Sequence, residues 1–390
     1  MNDLITPSKR ITSVDLLRGL IMVIMALDHT RDFTHDGALK ADPLDVATTT
    51  PVLFFTRWIT HFCAPLFVFL AGVSAWLSGR SKTPAALGSF LIKRGLWLIL
   101  VEIVLMTLIL TADPGYHMLV LAVIWAIGFS MIILGLLVRG SYLLIFILGA
   151  LLFLFHNVTD YMDIPQTGVA SAVWGVLMTS RGLILPIAPG HVILSSYAIL
   201  PWTGVLMLGY CAGRIFTVEP LQRKRILVNT GTAAILLFII LRYVNGYGDP
   251  AHWEVFPTAM QTFLSFINTT KYPPSLLFLC MTIGPGLLLL AAFENKTSKI
   301  LSVYGRVPFF YYVTHFFLIR VISIVMFYAQ GYGANDVVSP FFHYRPADMG
   351  VPLWGVYVIW ISVVAALYLP CKWFGAYKQQ DKQKVWLSYL

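Results

Sequence analysis

The chain has 390 residues, a formal net charge of +9, and 58% hydrophobic against only 12% charged residues. Soluble domains carry about 25% charged residues, so this composition excludes an ordinary soluble protein and is typical of a polytopic membrane protein. The excess of lysine and arginine follows the membrane topology described below, so we expect no nucleic-acid partner.

Apolar segments recur along the whole chain, and most are long enough to cross a bilayer as helices. The sequence therefore predicts an all-α polytopic membrane protein with about ten transmembrane helices, forming a single domain over residues 1–390. The first span is not a signal peptide, because Asp15, Arg18 and Asp28 interrupt its apolar stretch. The predicted spans are 13–33, 52–78, 88–111, 116–138, 141–156, 189–213, 226–244, 274–294, 306–329 and 351–373.

The distribution of basic residues predicts the orientation of these spans. One set of connections contains Lys9, Arg10, Arg80, Lys82, Lys93, Arg94, Arg139, Arg214, Arg223, Lys224, Arg225, Lys296, Lys299, Arg306, Lys372, Lys378, Lys382 and Lys384. The opposite loops contain fewer: Arg31, Lys40, Arg57, Arg181, Arg242, Lys271 and Arg345. Both termini are therefore predicted to be cytoplasmic, in a cell inner membrane.

Most carboxylates fall on the opposite, outer side, and all nine histidines fall in the outer half or near the midplane. Histidine does not follow the positive-inside rule, so its position needs another cause. Two explanations stay open: a polar, titratable outer cavity, or longer outer loops that simply contain more polar residues.

The first span combines a cation and a histidine on one helical face. Arg18 and His29 are eleven residues apart, close to three turns, which places them roughly 16 Å apart along the axis. Asp32, at i+3 from His29, can orient the imidazole as a general base, whereas Asp28 is adjacent and can pair with Arg31. Ionisable groups within a span usually face the protein interior or a wet cavity. The alternative is a solvated helix end with local salt bridges.

Four other polar positions are candidates for a site. His61 shares a face with Arg57 near the outer end of the second span, and His315 follows Tyr311 and Tyr312 at helical spacing. For each histidine the alternative to a role in the site is a structural one, in which the ring is hydrogen-bonded within the bundle. Lys271 precedes Tyr272-Pro273-Pro274-Ser275, at the predicted N-terminus of a helix. It is a candidate to bind an anionic group there, and the alternative is an ordinary interfacial anchor. Glu102 is a lone intramembrane carboxylate, and we expect it to stabilise the bundle; the alternatives are that it pairs with Arg320 or a histidine, or that it is held protonated.

Local signals complete the prediction. Ser13 with Asp15 favours an N-cap for the first helix, and Pro273-Pro274-Ser275 favours the start of the eighth. The sequence has no Walker loop, dinucleotide-binding turn or zinc motif, so no metal is expected and the chemistry would rest on a general base and a carried-in activated group. The four cysteines predict no disulfide; they are Cys63, Cys211, Cys280 and Cys371.

With these residues in view, the chain resembles bacterial members of the heparan-α-glucosaminide N-acetyltransferase catalytic-domain family. The Arg18-to-His29 spacing is also similar to that of the membrane acyltransferase-3 family. The pieces that carry the resemblance are Ser13-Val14-Asp15-Leu16-Leu17-Arg18-Gly19-Leu20, the stretch 28–33, Ala64-Pro65-Leu66-Phe67-Val68-Phe69-Leu70-Ala71-Gly72, Pro201-Trp202-Thr203-Gly204, the stretch 271–275, Gly305-Arg306-Val307-Pro308-Phe309, and Tyr312 with His315.

The resemblance implies a multispan enzyme that takes an acetyl group from cytoplasmic acetyl-CoA, its co-substrate, to a sugar or glycan acceptor on the far side. In that reading His29 is the base, with Asp28 and Asp32 beside it, and His35 is its rival because the lysosomal enzyme's histidine lies in the loop after the first helix. The coenzyme would be held by Arg18, Lys93 and Arg94. The acceptor would meet Arg31, His35, His61, Lys271, Tyr312 and His315. The other partners are membrane lipid and, left open, a second copy of the chain.

Two other classes of protein remain as alternatives. A proton-coupled small-molecule transporter of the inner membrane would also use polar intramembrane groups, although such folds usually show paired half-sequences, and no clear pair is present. An envelope scaffold protein would tolerate the loss of His29 and His315 together.

Overall fold

The computed structural model describes residues 11–163, 167–180, 182–337, 342–381 and 384. Of the basic residues used for the orientation, Lys9, Arg10, Arg181 and Lys382 lie outside the described residues.

The described chain is mostly helical. Its helices are α1 (Thr12–Thr34), α2 (Pro51–Trp58), α3 (Cys63–Gly79), α4 (Pro84–Val101), α5 (Thr107–Thr111), α6 (Val123–Leu137), α7 (Tyr142–Phe155), α8 (Gly168–Trp174), α9 (Ile199–Ala212), α10 (Pro220–Val244), α11 (Ala259–Ile267), α12 (Leu276–Ala292), α13 (Lys299–Arg306), α14 (Pro308–Ala329) and α15 (Leu353–Gln380). Short 3₁₀ or π turns extend several of them, including Ile59–Phe62 between α2 and α3 and Glu102–Met106 between α4 and α5.

Seven helical segments in the described chain are long and apolar enough to cross a membrane: Pro51–Gly79, Pro84–Thr111, Tyr142–Tyr161, Ile199–Thr217, Pro220–Val244, Pro308–Ala329 and Leu353–Gln380. Helices α6 and α12 are apolar but shorter. Helix α1 has 23 residues and carries charged groups along its length. Membrane-protein character is therefore supported, whereas the count of about ten spans and the orientation stay predictions.

A three-stranded sheet corrects the all-α prediction. Strand β1 (Met118–Leu121) pairs in parallel with β3 (His191–Ser195), and β3 pairs in antiparallel with β2 (Leu183–Ala188). Two of these strands lie in the predicted spans 116–138 and 189–213. A short apolar run of four to eight residues does not distinguish a buried strand from a helix, so the sequence pattern predicts helix at both strands.

Helix α1 lies at the centre of the bundle, against α3, α12, α13, α14 and α15. Its contact with α13 is backbone to backbone. A Cβ atom on Gly19 would lie 2.0 Å from the Leu301 carbonyl oxygen, and one on Gly305 would lie 1.9 Å from the Asp15 carbonyl oxygen. Because only glycine permits this approach, the inner end of α1, at Thr12, is fixed firmly beside α13.

Two of the predicted helix starts have different outcomes. Ser275 caps α12, since its hydroxyl accepts a hydrogen bond from the Phe278 N–H at 3.0 Å, as predicted. The prediction for Ser13 was wrong: α1 begins at Thr12 without a side-chain cap, and the Ser13 hydroxyl donates to Glu294 at 3.0 Å. A partner on another helix outcompetes the local cap in this case.

Glu102 stabilises the bundle, and it does so through backbone groups. Its two carboxylate oxygens accept hydrogen bonds from the N–H groups of Ala122 and Trp125, each at 3.2 Å, at the start of α6. The expected pairing with Arg320 or a histidine was wrong, because Arg320 donates to the carbonyls of Thr111 and His343. A helix N-terminus is an effective partner for a buried carboxylate. All four cysteines are free and buried, as predicted.

Candidate active site

Two cavities lie one above the other beside α1 and α3. We call the one near the Thr12 end of α1 the inner cavity and the one near the Thr34 end the outer cavity. The inner cavity has a volume of about 700 Å³ and the outer cavity about 300 Å³. Both are framed by α1, α3 and residues around the start of α6 and α14.

The inner cavity is lined by positive charge. Among the residues that the structure describes, its lining contains no aspartate or glutamate and six basic residues: Arg18, Lys82, Arg94, Arg306, Lys378 and Lys384. Small side chains of α3, such as Ser74, Ala75 and Ser78, form another part of its wall. This combination gives space and charge for an extended polyanion.

The inner-cavity residues agree only partly with the prediction. Arg18 lies in the lining, where it donates to the Ser74 hydroxyl at 2.6 Å and lies 3.7 Å from Asp15. Arg94 also lines the cavity, whereas Lys93 is exposed and outside its lining. Helical geometry explains this, since neighbouring residues point about 100° apart. Sequence reasoning missed four other basic residues of the lining, although their place in the basic flanks was a signal; they are Lys82, Arg306, Lys378 and Lys384.

The outer cavity has a lining of mixed charge. It includes His29 with Asp28 and Asp32 from α1, and three basic residues from other elements, Arg57, Lys271 and Arg345. Thr60, Ser196, Tyr197, Tyr272 and Tyr312 add hydroxyl groups. Edges of the sheet, through Val120 and Leu194, close one side.

An ion-pair network fixes the carboxylates around His29. Asp28 is buried and pairs with Arg57 of α2, and its second oxygen lies 3.5 Å from Arg31. Arg31 also contacts Asp32 at 2.5 Å. Arg31 is buried behind these acids and does not line the cavity, so its guanidinium serves the acids. Asp28 and His29 are adjacent in sequence, and both line the same cavity on an unbroken helix.

His29 is only partly buried and lies at the cavity surface. Its ring packs against Phe316 at 4.0 Å and lies 5.3 Å from the ring of His315. No described residue accepts or donates a hydrogen bond to the His29 ring, so its nitrogens are available to a substrate. The side-chain oxygens of Asp28 and Asp32 lie within 4.8 Å of a His29 ring nitrogen.

His315 is fully buried beneath His29. Its Nδ1 lies 2.8 Å from the Tyr311 carbonyl oxygen, which fixes Nδ1 as the donor in the neutral ring. Its Nε2 has no partner among the described residues. The ring of His315 also stacks on the Tyr311 ring at 5.2 Å and lies 5.9 Å from the Tyr312 ring, so the helical spacing brings phenol and imidazole together. Tyr312 also lines the outer cavity.

Lys271 and two tyrosines form the wall of the outer cavity across from α1. Asp249 holds their loop, since it accepts hydrogen bonds from the Thr270 N–H at 2.9 Å and the Ser275 hydroxyl at 2.7 Å. The Lys271 ammonium lies 5.1 Å from the Tyr272 ring. Burial alone would raise the pKa of Tyr272, but the charges of Lys271 and Arg57 lower it below its ordinary value. This wall presents donors to an electron-rich group in the cavity.

His35 and His61 lie outside the lining of the outer cavity. His35 follows the last turn of α1, where burial lowers its pKa, and Arg345 donates to its carbonyl at 2.7 Å. His61 is buried with its ring 5.3 Å from Phe278. The structure therefore brings Lys271, Tyr312 and His29 to one cavity and leaves these two histidines beside it.

The Asp28, His29 and Asp32 ligand atoms are close enough to hold a metal ion. Both carboxylates already pair with arginine, which weighs against a cation there. The expectation that the protein needs no metal stays a prediction.

Phe67 of α3 belongs to the linings of both cavities. On the same face of α3, Ala64 lines the outer cavity and Ala71 the inner one. Phe67 therefore lies where the Arg18 cavity and the His29 cavity adjoin along α3.

Fold and site together define a polytopic helical membrane protein in which a cavity lined by basic residues adjoins a histidine–carboxylate cavity. Residues 10–242, more than half of the chain, match the sequence model of the family described as "Heparan-alpha-glucosaminide N-acetyltransferase, catalytic". The chain belongs to this family, as its motifs indicated. No curated protein matches it. Lys271, Arg306, Tyr312 and His315 lie beyond the matched residues, so the family match alone does not identify the complete site.

Proposed function

We propose that the protein is a transmembrane acetyltransferase that moves an acetyl group from acetyl-CoA in the inner cavity to a sugar or glycan acceptor in the outer cavity. The single observation that carries the proposal is the pair of cavities that share Phe67. The family gives the class of reaction, and the two linings give separate places for donor and acceptor.

The inner cavity suits the donor. Coenzyme A is a polyanion with a long, mostly uncharged arm, and the six basic residues around the cavity would hold its phosphates. The arm would follow the small side chains of α3 toward Phe67. In this arrangement Arg18 lies beside the arm, while Arg94 and Arg306 contact phosphate.

The outer cavity suits acceptor activation. His29 accepts the proton of an acceptor hydroxyl or amine while the acceptor oxygen or nitrogen bonds to the acetyl carbonyl carbon. The carbon–sulfur bond then breaks, and the coenzyme A thiolate takes the proton from the His29 imidazolium. Asp32 and Asp28 stabilise that imidazolium by charge, and their arginine partners keep them in place. The wall of Lys271 and Tyr272 faces the negative charge that develops on the carbonyl oxygen.

Position favours His29 over His35 as the base. His29 lines the cavity and has free ring nitrogens, whereas His35 lies outside the lining beside Asp36. Tyr312 and Lys271 are the side chains we assign to the acceptor, and His315 supports His29 from below.

The test measures free thiol released from acetyl-CoA by the full chain in liposomes, with a panel of amino sugars and glycan fragments as acceptors. General-base catalysis contributes about 10²- to 10⁴-fold, so His29→Ala should slow release by that factor while the unfolding temperature is kept. His35→Ala tests the rival base, and exposed His252 supplies the matched control, His252→Ala. Full turnover by His29→Ala would refute the base. Release of no thiol by the unchanged protein, together with acceptor transport, would support the transporter.

A further inference from the structure

A third cavity, of about 560 Å³, opens on the side of the bundle away from the two described above. We call it the lateral groove. Its walls are α7, through Tyr142, Phe146 and Leu154, and α10, through Ile226 and Ala234. Its floor is formed by residues of α3, α9 and α12, including Phe69, Val205 and Leu287.

The lateral groove is open to the surroundings and almost entirely apolar. Tyr142, Phe146 and Leu154 on its rim are 39%, 46% and 36% exposed. Along α7, the distance from Tyr142 to Leu154 is about 18 Å. One leaflet of bilayer hydrocarbon is about 15 Å thick, so the groove has the length of one acyl chain.

A single charged residue, Arg214, lies in the described lining of the lateral groove. Its guanidinium lies 5.7 Å from the Tyr142 ring, at the end of the groove where α7 begins. No described carboxylate forms an ion pair with it. Arg214 is exposed at this end of the groove, so its planar donors are open to a phosphate diester, which matches their geometry.

We infer that the lateral groove binds one molecule of anionic phospholipid, with an acyl chain along α7 and the phosphate on Arg214. A second copy of the chain fits less well, because its helix would bury Arg214 against apolar side chains without a counter-charge. The predicted orientation places Arg214 in the cytoplasmic leaflet, where anionic lipids collect. This inference does not depend on the proposed function.

The bound lipid would brace the contact between α3 and α9. These helices touch through glycine: a Cβ atom on Gly209 would lie 2.1 Å from the Phe69 carbonyl oxygen. Phe69 also forms part of the groove floor, so an acyl chain in the groove packs directly behind this contact. Occupancy should therefore raise the unfolding temperature.

The test uses the full chain in a neutral detergent, with dioleoyl phosphatidylglycerol as probe and dioleoyl phosphatidylcholine and inorganic phosphate as comparisons. Native mass spectrometry measures retained lipid, and thermal unfolding measures stabilisation. The unchanged protein should retain phosphatidylglycerol preferentially and gain stability from it, whereas inorganic phosphate should have no effect. Arg214→Gln should lower the preference about fivefold, and the exposed control Arg225→Gln should keep it.

A second variant tests the apolar part of the site. Ala234→Trp fills the groove and should reduce retention of both lipids, with a cooperative unfolding transition showing that the chain is folded. Equal retention by the unchanged protein, Arg214→Gln and Ala234→Trp would overturn the inference. A dimer that dissociates in Ala234→Trp, without specific lipid retention, would equally overturn it and assign the groove to a second copy.

Discussion

The inner and outer cavities differ most in how their charges are balanced. The inner cavity collects basic residues from α1, α4, α13 and α15 and includes no carboxylate in its described lining. The lining of the outer cavity contains both aspartates and basic residues beside His29. Arg31 pairs with Asp32, and Arg57 pairs with Asp28. A basic lining without carboxylates suits the binding of an anion, whereas a lining of mixed charge around an imidazole suits the transfer of a proton. The comparison thus assigns binding to one cavity and chemistry to the other.

The largest expected effect lies in the outer network. Arg57→Leu leaves Asp28 buried with only the more distant Arg31, and breaking a buried ion pair typically costs about 3–5 kcal/mol. We expect the free energy of unfolding, measured in sodium dodecyl sulfate, to fall by that amount. The double variant Asp28→Asn/Arg57→Gln removes both charges and should recover much of the loss. Equal stability of Arg57→Leu and the unchanged protein would show that the outer charges are not a structural network.

Substitutions in the inner cavity should weaken the binding of acetyl-CoA rather than the stability of the fold. Arg94→Ala removes one charged contact to phosphate and should raise the KM for acetyl-CoA about tenfold with kcat unchanged. Its neighbour Lys93 is exposed outside the lining, so Lys93→Ala should change KM by less than about twofold. Steady-state thiol release measures both. A larger effect from Lys93→Ala would mean that the coenzyme phosphates lie on the outside of α4.

An effect no larger than that of Arg94→Ala is expected at the junction between the cavities. Phe67→Ala widens the passage, so the ratio of butyryl-CoA to acetyl-CoA turnover should rise about tenfold, within the range for pocket size changes. Phe69 lies on the same helix and lines only the lateral groove, so Phe69→Ala should alter stability without altering this ratio. An unchanged ratio in Phe67→Ala would place the acyl group elsewhere.

The sequence predicted the parts of the site that depend on one helix. The spacing predicted that Arg18 and His29 share one face of α1 near its opposite ends, and in the structure Arg18 lines the inner cavity and His29 the outer one. It did not predict that Asp28 pairs with Arg57, or that Glu102 caps α6 through backbone groups. Such partners depend on how neighbouring helices are rotated, and hydrophobic periodicity does not contain that information.

The strands and the loops were harder to predict for a related reason. Strands β1 and β3 are short apolar segments that run directly into apolar helices. Composition alone therefore does not indicate that their backbones pair. Arg345 lines the outer cavity and donates hydrogen bonds to four backbone carbonyls. Two of these, from Asp32 and His35, are more than 300 residues away along the chain. Contacts of a side chain with distant backbone atoms have no signature in a single sequence.

The central claim is that donor and acceptor use opposite cavities of one passage. The direct measurement uses sealed liposomes in which the orientation of the chain is set by protease access to the tail after α15. Labelled acetyl-CoA is confined to one side and a membrane-impermeant acceptor from the panel to the other. The account predicts labelled acceptor when the donor is on the side of the tail and the acceptor is opposite. Labelled product formed only when both substrates are on the same side would contradict it.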